Sequence, residues 1–275
     1  MNNLEIRQWV FSFDERSAEW FRDMIKVAVI SAREKTKLEP ICLFDGNGER
    51  PILSWLRSNG VKIIRTCVPF RQELFSAETT NANAGTPFTP EHAAGAYLRM
   101  YSPEHVDDEF FLYTDCDVMF TGDVENMNPK PPIVAACGET VAEGIVVKPG
   151  STFNSGVMII NKTGFKAARD MIIDIARKHN FYHKKNFSYD QTIINMALEG
   201  KWDVLPATMN WRPFQGINKD ARIVHFHGPK PHRISDILSG KASTEEAEAM
   251  RDLLTAHREG YEYYVGEYNR YLAQS

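Results

Sequence analysis

Residues 109–120 read EFFLYTDCDVMF, an apolar run interrupted by two aspartates, Asp115 and Asp117, with one cysteine between them. Charged side chains are rarely buried unless they are paired or bound to metal. Two carboxylates at the end of a core-like strand therefore leave two readings: a solvated turn, or a pair of acids sharing a cation. On a strand, residues i and i+2 project to the same side. Two converging carboxylates suit a hard, oxygen-seeking ion such as Mg²⁺ or Mn²⁺. With 36 acidic residues in the chain, an Asp-x-Asp pair also arises by chance, and on this run alone the two readings stand level.

Outward from this run, the apolar pattern alternates between strand and helix. Residues 4–13 read as a strand, and residues 15–34 carry Trp20, Phe21, Met24, Val27, Ala28 and Ile30 at helical spacing. PICLFDGNG is a short strand closing in a Gly-rich turn, followed by a helix over 50–58 and a strand over 61–66. This rhythm predicts an α/β fold, a mostly parallel sheet flanked by helices. Right-handed crossovers then bring the strand C-termini to one edge, where ligands of such sheets bind. Residues 70–90 break the pattern: SAETTNANAGTPFTP is small, polar and punctuated by Pro and Gly, and reads as a long loop of the kind that is functional or disordered. A helix is expected at 91–101, strands at 132–136, 156–161, 202–205 and 222–226, and a helix at 164–179. The chain ends in helical pattern, at 244–258 and again in GYEYYVGEYNRYLAQS, where Tyr261, Tyr264, Val265, Tyr268, Tyr271 and Leu272 share one face. That face predicts a helix packed on the domain, with a partner or a membrane surface as its alternative neighbour. The expected organisation is one domain over 1–240 and a helical extension over 241–275.

The chain has 275 residues, 43% of them hydrophobic and 25% charged, with net charge −4. That is the balance of a globular protein, and it carries no electrostatic footprint for nucleic acid. The first residues lack the basic start and apolar stretch of a secretory signal. Cys42, Cys67, Cys116 and Cys137 form no CxxC pair, so neither a zinc site nor a disulfide framework is indicated. Both features predict a cytoplasmic enzyme, with peripheral membrane contact through the aromatic helix as a further option.

Three more segments carry chemistry. In VHFHGPKPH, residues 224–232, His225 is a potential metal ligand, Gly228 allows close backbone approach and Lys230 is a point charge for phosphate; a basic surface loop explains the segment equally well. In FNSGVMIIN, residues 153–161, Asn154 and Ser155 precede a buried strand, with Gly156 at its start. In YDQTIIN, residues 189–195, Asp190 and Gln191 open an apolar helix, and Asp190 alone reads as its N-cap. Arg99, about sixteen residues before the aspartates, reads by itself as a surface arginine.

In this order the segments resemble the family 8 glycosyltransferases, which include glycogenin and bacterial lipooligosaccharide galactosyltransferases. YTDCDVMF matches the metal-binding DxD, HFHGPKP the HFxGxxKPW motif, and FNSGVMIIN and YDQTIIN two further motifs. The resemblance implies a GT-A fold, a Rossmann-like α/β sandwich that binds a nucleotide sugar, usually UDP-linked, with Mn²⁺ (or Mg²⁺). It implies that Asp115, Asp117 and His225 hold the metal, that Lys230 and Gly228 contact the diphosphate, and that Arg99 faces the donor sugar and the DxD. Asn154 and Ser155 would line the sugar pocket, with Asp190 and Gln191 beside the anomeric carbon. VFSFDERS would assign Ser12, Asp14 and Arg16 to the base and ribose, Arg16 standing where the family has asparagine. Only Pro229 separates Gly228 from Lys230, where two residues are common, and His232 stands where tryptophan is frequent. The implied activity is transfer of a hexosyl group, with retention, to a carbohydrate or other hydroxyl acceptor. A sugar-nucleotide pyrophosphorylase is a rival, but SFDERSAEW lacks its Gly-rich basic loop. A silent nucleotide- or glycan-binding module of the same fold is the other.

Overall fold

The computed structural model describes residues 6–125, 129–139, 152–238 and 257–275, with residues 248, 251, 254 and 255. The first part runs β1 (Gln8–Asp14), α1 (Ser17–Trp20), α2 (Arg22–Lys35), β2 (Glu39–Asp45), α3 (Pro51–Ser58) and β3 (Lys62–Arg65). Next come α4 (Arg71–Leu74), α5 (Ala77–Ala82), α6 (Pro90–Tyr97), a 3-10 segment (Leu98–Glu104), β4 (Phe110–Thr114), β5 (Val118–Phe120) and β6 (Val134–Gly138). The remainder includes β7 (Phe153–Asn161), α7 (Lys162–Lys178), α8 (Gln191–Ala197), β8 (Asp203–Val204), a 3-10 turn (Ala207–Asn210), β9 (Ile223–His225), α9 (Pro231–Leu238) and α10 (Arg258–Leu272).

Seven strands form one sheet in the order β3-β2-β1-β4-β7-β6-β8. All pairings are parallel except those of β7, which runs antiparallel to both β4 and β6. The mostly parallel α/β architecture expected from the alternating pattern is therefore present. Alternate residues serve opposite faces. Val10, Leu43, Phe111, Tyr113 and Met158 face a core closed by α6, α7 and α8. Trp9, Phe11, Cys42, Leu112 and Val157 face a second core closed by α2 and α3. Burial on both faces is why these strands read as nearly continuous apolar runs. The aromatic face of α10 packs on α2 and on a small ribbon of β5 and β9, with Tyr264, Tyr268 and Tyr271 against Met24, Val27 and Phe226.

The structure corrects three local expectations. Residues 70–90 hold two short helices, α4 and α5, rather than an unbroken loop. The Ser76 hydroxyl caps α5 by accepting from Thr79 N, and Asn83 Nδ2 ties the end to Asn180 O at 2.9 Å. The helix expected over 15–34 divides at Phe21, because the Asp14 carboxylate accepts from Arg16 N and Ser17 N and starts a separate turn. Asn154 and Ser155 lie inside β7, not ahead of it, since β7 begins at Phe153. The helix expected over 244–258 lies almost wholly outside the described residues. Among the described residues no helix is long and apolar enough to cross a membrane.

Candidate active site

Asp115 and Asp117 lie in the bend between β4 and β5, not within a strand as the i, i+2 reading supposed. They still converge, because β5 pairs antiparallel with β9 and sets His225 opposite Val118. Phe226 N also donates to Asp117 O at 2.9 Å, fastening the ribbon beside the acids. Asp115, Asp117 and His225 each offer one ligand atom within 4.8 Å of the others. His225 Nε2 lies 3.2 Å from Asp117 Oδ1 and 3.9 Å from Asp115 Oδ2. Gly156 makes this closeness possible: a Cβ there would meet His225 Cε1 at 2.2 Å and Asp115 Oδ2 at 2.9 Å. Cys116, between the acids, points into the core under β1 and donates to Ser12 O at 3.3 Å.

Two cations flank the acids. Lys230 Nζ pairs with Asp117 and donates to Phe226 O at 2.9 Å. Gly228 has φ of 97°, a left-handed turn that folds Lys230 back toward the acids. Burial alone would raise the pKa of Asp117, but Lys230 and His225 outweigh it and hold the carboxyl well below the usual range. Arg99 is buried, not on the surface as a lone helical arginine would be. It pairs with Asp115 Oδ1 at 2.6 Å and Asp190 Oδ2 at 2.5 Å, donates to Ser155 O at 2.7 Å, and lies over the Tyr113 ring at 4.8 Å. Burial disfavours the guanidinium charge, yet Asp190 and Asp115 more than restore it and its pKa is raised. Asp190 occupies the N-cap position of α8 but makes no side-chain cap bond. Burial pushes its pKa up against the pull of Arg99.

These groups line a cavity of about 260 Å³ at the C-terminal edge of β1 and β4, the edge predicted for ligands. Of the residues singled out in the sequence, its walls contain Ser12, Asp14, Arg99, Asp115 and Asp117. Asp190, His225 and Lys230 complete that set, and His92, Tyr113, Tyr189 and His227 join them. Arg16 is exposed and stands outside the lining. Asp14 lines the cavity while its carboxylate also holds the start of α1. Asn154, Ser155 and Gln191 form a layer behind the wall: Gln191 Oε1 accepts from Asn154 Nδ2 at 3.0 Å and from Ser155 N at 3.1 Å. Gln191 Nε2 donates to Glu139 Oε2 at 3.0 Å. Glu139 and Asn210 belong to this layer without having been assigned a role from sequence. Asn210 ends a short 3-10 turn, Ala207–Asn210, and the pairing of Trp211 with Val224 carries it to His225.

Two carboxylates and an imidazole nitrogen are a hard, oxygen-rich donor set, and these residues fit Mn²⁺ or Mg²⁺. A family model described as Glycosyl transferase family 8 matches residues 35–233, most of the chain. The chain belongs to glycosyl transferase family 8. The "Probable glycosyl transferase Gly" of Streptococcus gordonii is 28% identical over 134 residues, 47% of this chain and 19% of that protein. Glycosyltransferase GlyE of Streptococcus pneumoniae serotype 4 is 27% identical over 121 residues, 42% of this chain and 28% of that protein. The matched stretch thus spans less than a third of either relative. The crystal structure of GlyE superposes with TM-score 0.58 at 18% identity, covering 95% of this chain and 63% of that one. The galactosyltransferase LgtC, solved in complex with donor and acceptor sugar analogs, gives 0.56 at 18% identity, covering 88% of this chain and 99% of that one. These likenesses establish the GT-A fold for this family 8 chain.

Proposed function

We propose that this chain is a metal-dependent, retaining glycosyltransferase that moves a hexosyl group from a UDP-linked sugar to a hydroxyl of a carbohydrate acceptor. The observation that carries the reading is the convergence of Asp115, Asp117 and His225 beside Lys230, in a cavity at the ligand-binding edge of the sheet. Family 8 membership supports it, as does the fold shared with a galactosyltransferase solved with donor and acceptor analogs.

Sugar transfer breaks the bond between the anomeric carbon and the β-phosphate oxygen, whose electron pair stays on the departing diphosphate. A divalent cation held by Asp115, Asp117 and His225 would neutralise that growing charge. Lys230 supplies a second positive charge for the same oxygens. The anomeric carbon becomes electron-poor as the bond lengthens, and Asp190, held by Arg99, is the carboxylate that favours that charge. Gln191 acts from behind, through the Asn154 and Ser155 layer, because its carbonyl already accepts two hydrogen bonds. For retention the acceptor hydroxyl enters on the face the diphosphate leaves and gives its proton to the departing β-phosphate oxygen. Ser12 and Asp14, at the end of β1, would meet the nucleoside.

The test is release of UDP from UDP-glucose or UDP-galactose with Mn²⁺, with and without a sugar acceptor. Asp117→Ala should slow release about a hundredfold, matching roughly 3 kcal/mol of lost transition-state stabilisation. Wild-type turnover by that variant rejects the metal role. Nucleotide binding without any release identifies a binding module instead.

A further inference from the structure

We propose that Asn210 is a positioning residue that fixes the ring of His225 so that Nε2, and not Nδ1, is the nitrogen presented to a cation at Asp115 and Asp117. The inference rests on the cation site proposed above and goes beyond it, to a buried side chain outside the cavity wall.

The hydrogen-bond directions determine it. Gly156 N is a backbone donor and lies 3.0 Å from Asn154 Oδ1, so that atom is an acceptor. The Asn210 atom facing the same oxygen at 2.9 Å must then be the amide nitrogen, Nδ2. Its other end, Oδ1, therefore faces His225 Nδ1 at 3.0 Å, and an amide oxygen only accepts. Nδ1 therefore carries a proton, and Nε2 is the ring nitrogen directed at the acids, 3.2 Å from Asp117 Oδ1.

The far end of the chain is pinned as firmly. Ser155 N is a second backbone donor and makes Gln191 Oε1 an acceptor, so Gln191 Nε2 turns to the Glu139 carboxylate. Arg212 Nη2 stands 3.6 Å from the other Glu139 oxygen. Donation thus runs in one direction from His225 through Asn210, Asn154 and Gln191 to the Glu139 carboxylate, and two backbone N–H groups of β7 set its sense. Asn210 and His225 are both buried, at 1% and 2% exposure, so water does not offer the ring an alternative partner. Ligating histidines commonly donate their second nitrogen to such a partner, and removing it typically costs 10–100-fold in metal affinity.

The experiment uses the ¹⁵N-labelled chain titrated with Zn²⁺ as a diamagnetic stand-in, with His225 ring signals assigned through His225→Gln. Nε2 should shift on metal addition while Nδ1 keeps its proton. A metal-shifted Nδ1 overturns the proposal, and this arm needs no variant of Asn210. In parallel, Mn²⁺ affinity measured calorimetrically should fall about 10–100-fold in Asn210→Ala. Asn210→Asp retains an acceptor for the Nδ1 proton but sets its second oxygen against Asn154 Oδ1, itself an acceptor, so its Mn²⁺ affinity should lie between those of wild type and Asn210→Ala. Mn²⁺ binding that survives Asn210→Ala overturns this inference alone. Wild-type protein that takes up neither ion overturns the cation site itself and the inference with it.

Discussion

Arg99 shows how far a single side chain departs from what its neighbours in sequence imply. It is the hub of two carboxylates and a backbone carbonyl, and stacks on Tyr113 besides. Removing it would leave the buried Asp190 carboxylate unpaired beside Asp115 at the cavity wall. Arg99→Leu should therefore destabilise the fold by about 3–5 kcal/mol, the usual cost of breaking a buried ion pair, as read by urea denaturation. Lysine offers one ammonium instead of a planar fork, so Arg99→Lys should recover only part of that stability. Gly156 is constrained from the opposite direction. Because a Cβ would sit 2.2 Å from the His225 ring, Gly156→Ala should push the imidazole off the acids. Mn²⁺ affinity, measured by calorimetry, should drop at least about tenfold, within the range for disturbed ligand orientation.

At the scale of elements, α10 tests how the end of the chain is fastened. Gly260 abuts the turn at Pro213: a Cβ there would lie 2.1 Å from Pro213 O, which is backbone and cannot swing away. Gly260→Ala should therefore cost about 1–3 kcal/mol, the usual price of overpacking, visible as a lower urea midpoint. The Tyr264 hydroxyl both accepts from Asn218 N at 2.9 Å and donates to Asn218 O at 3.0 Å. Tyr264→Phe should cost about 1–3 kcal/mol, since it leaves a partly buried backbone donor unmet, and should leave UDP release unchanged. The aromatic stripe of α10 was legible as a buried face from its spacing. The two short helices in residues 70–90 were not, because α5 is held by a side-chain cap at Ser76 and a distant tie to Asn180. Neither feature gives an apolar period.

For the whole molecule, the central prediction is ligand-linked stability. A ligand at 100 times its dissociation constant stabilises by about 2.7 kcal/mol, which for a chain of this size raises Tm by about 5–10 °C. UDP with Mn²⁺ should give a shift of that order, and chelator should remove most of it, because the diphosphate and the cation are neutralised together. A shift with another nucleotide and none with UDP would reassign the donor.

The sequence by itself determined the α/β class and the buried strands, and it singled out the two acids proposed here to hold a cation. Those features rest on local periodicity and on motifs whose residues act in their own order along the chain. Only the tertiary structure decided that Asp115 and Asp117 converge from a bend, that Arg99 and Asp190 form a buried pair, and that Asn210 backs His225. Each of these depends on a contact between segments far apart in sequence: β5 with β9, the 3-10 segment with the start of α8, and Trp211 with Val224. A turn such as ATMNWRPF carries no sign of its partner. The partner is chosen by how strands pair and cores close, and that is settled across the whole chain.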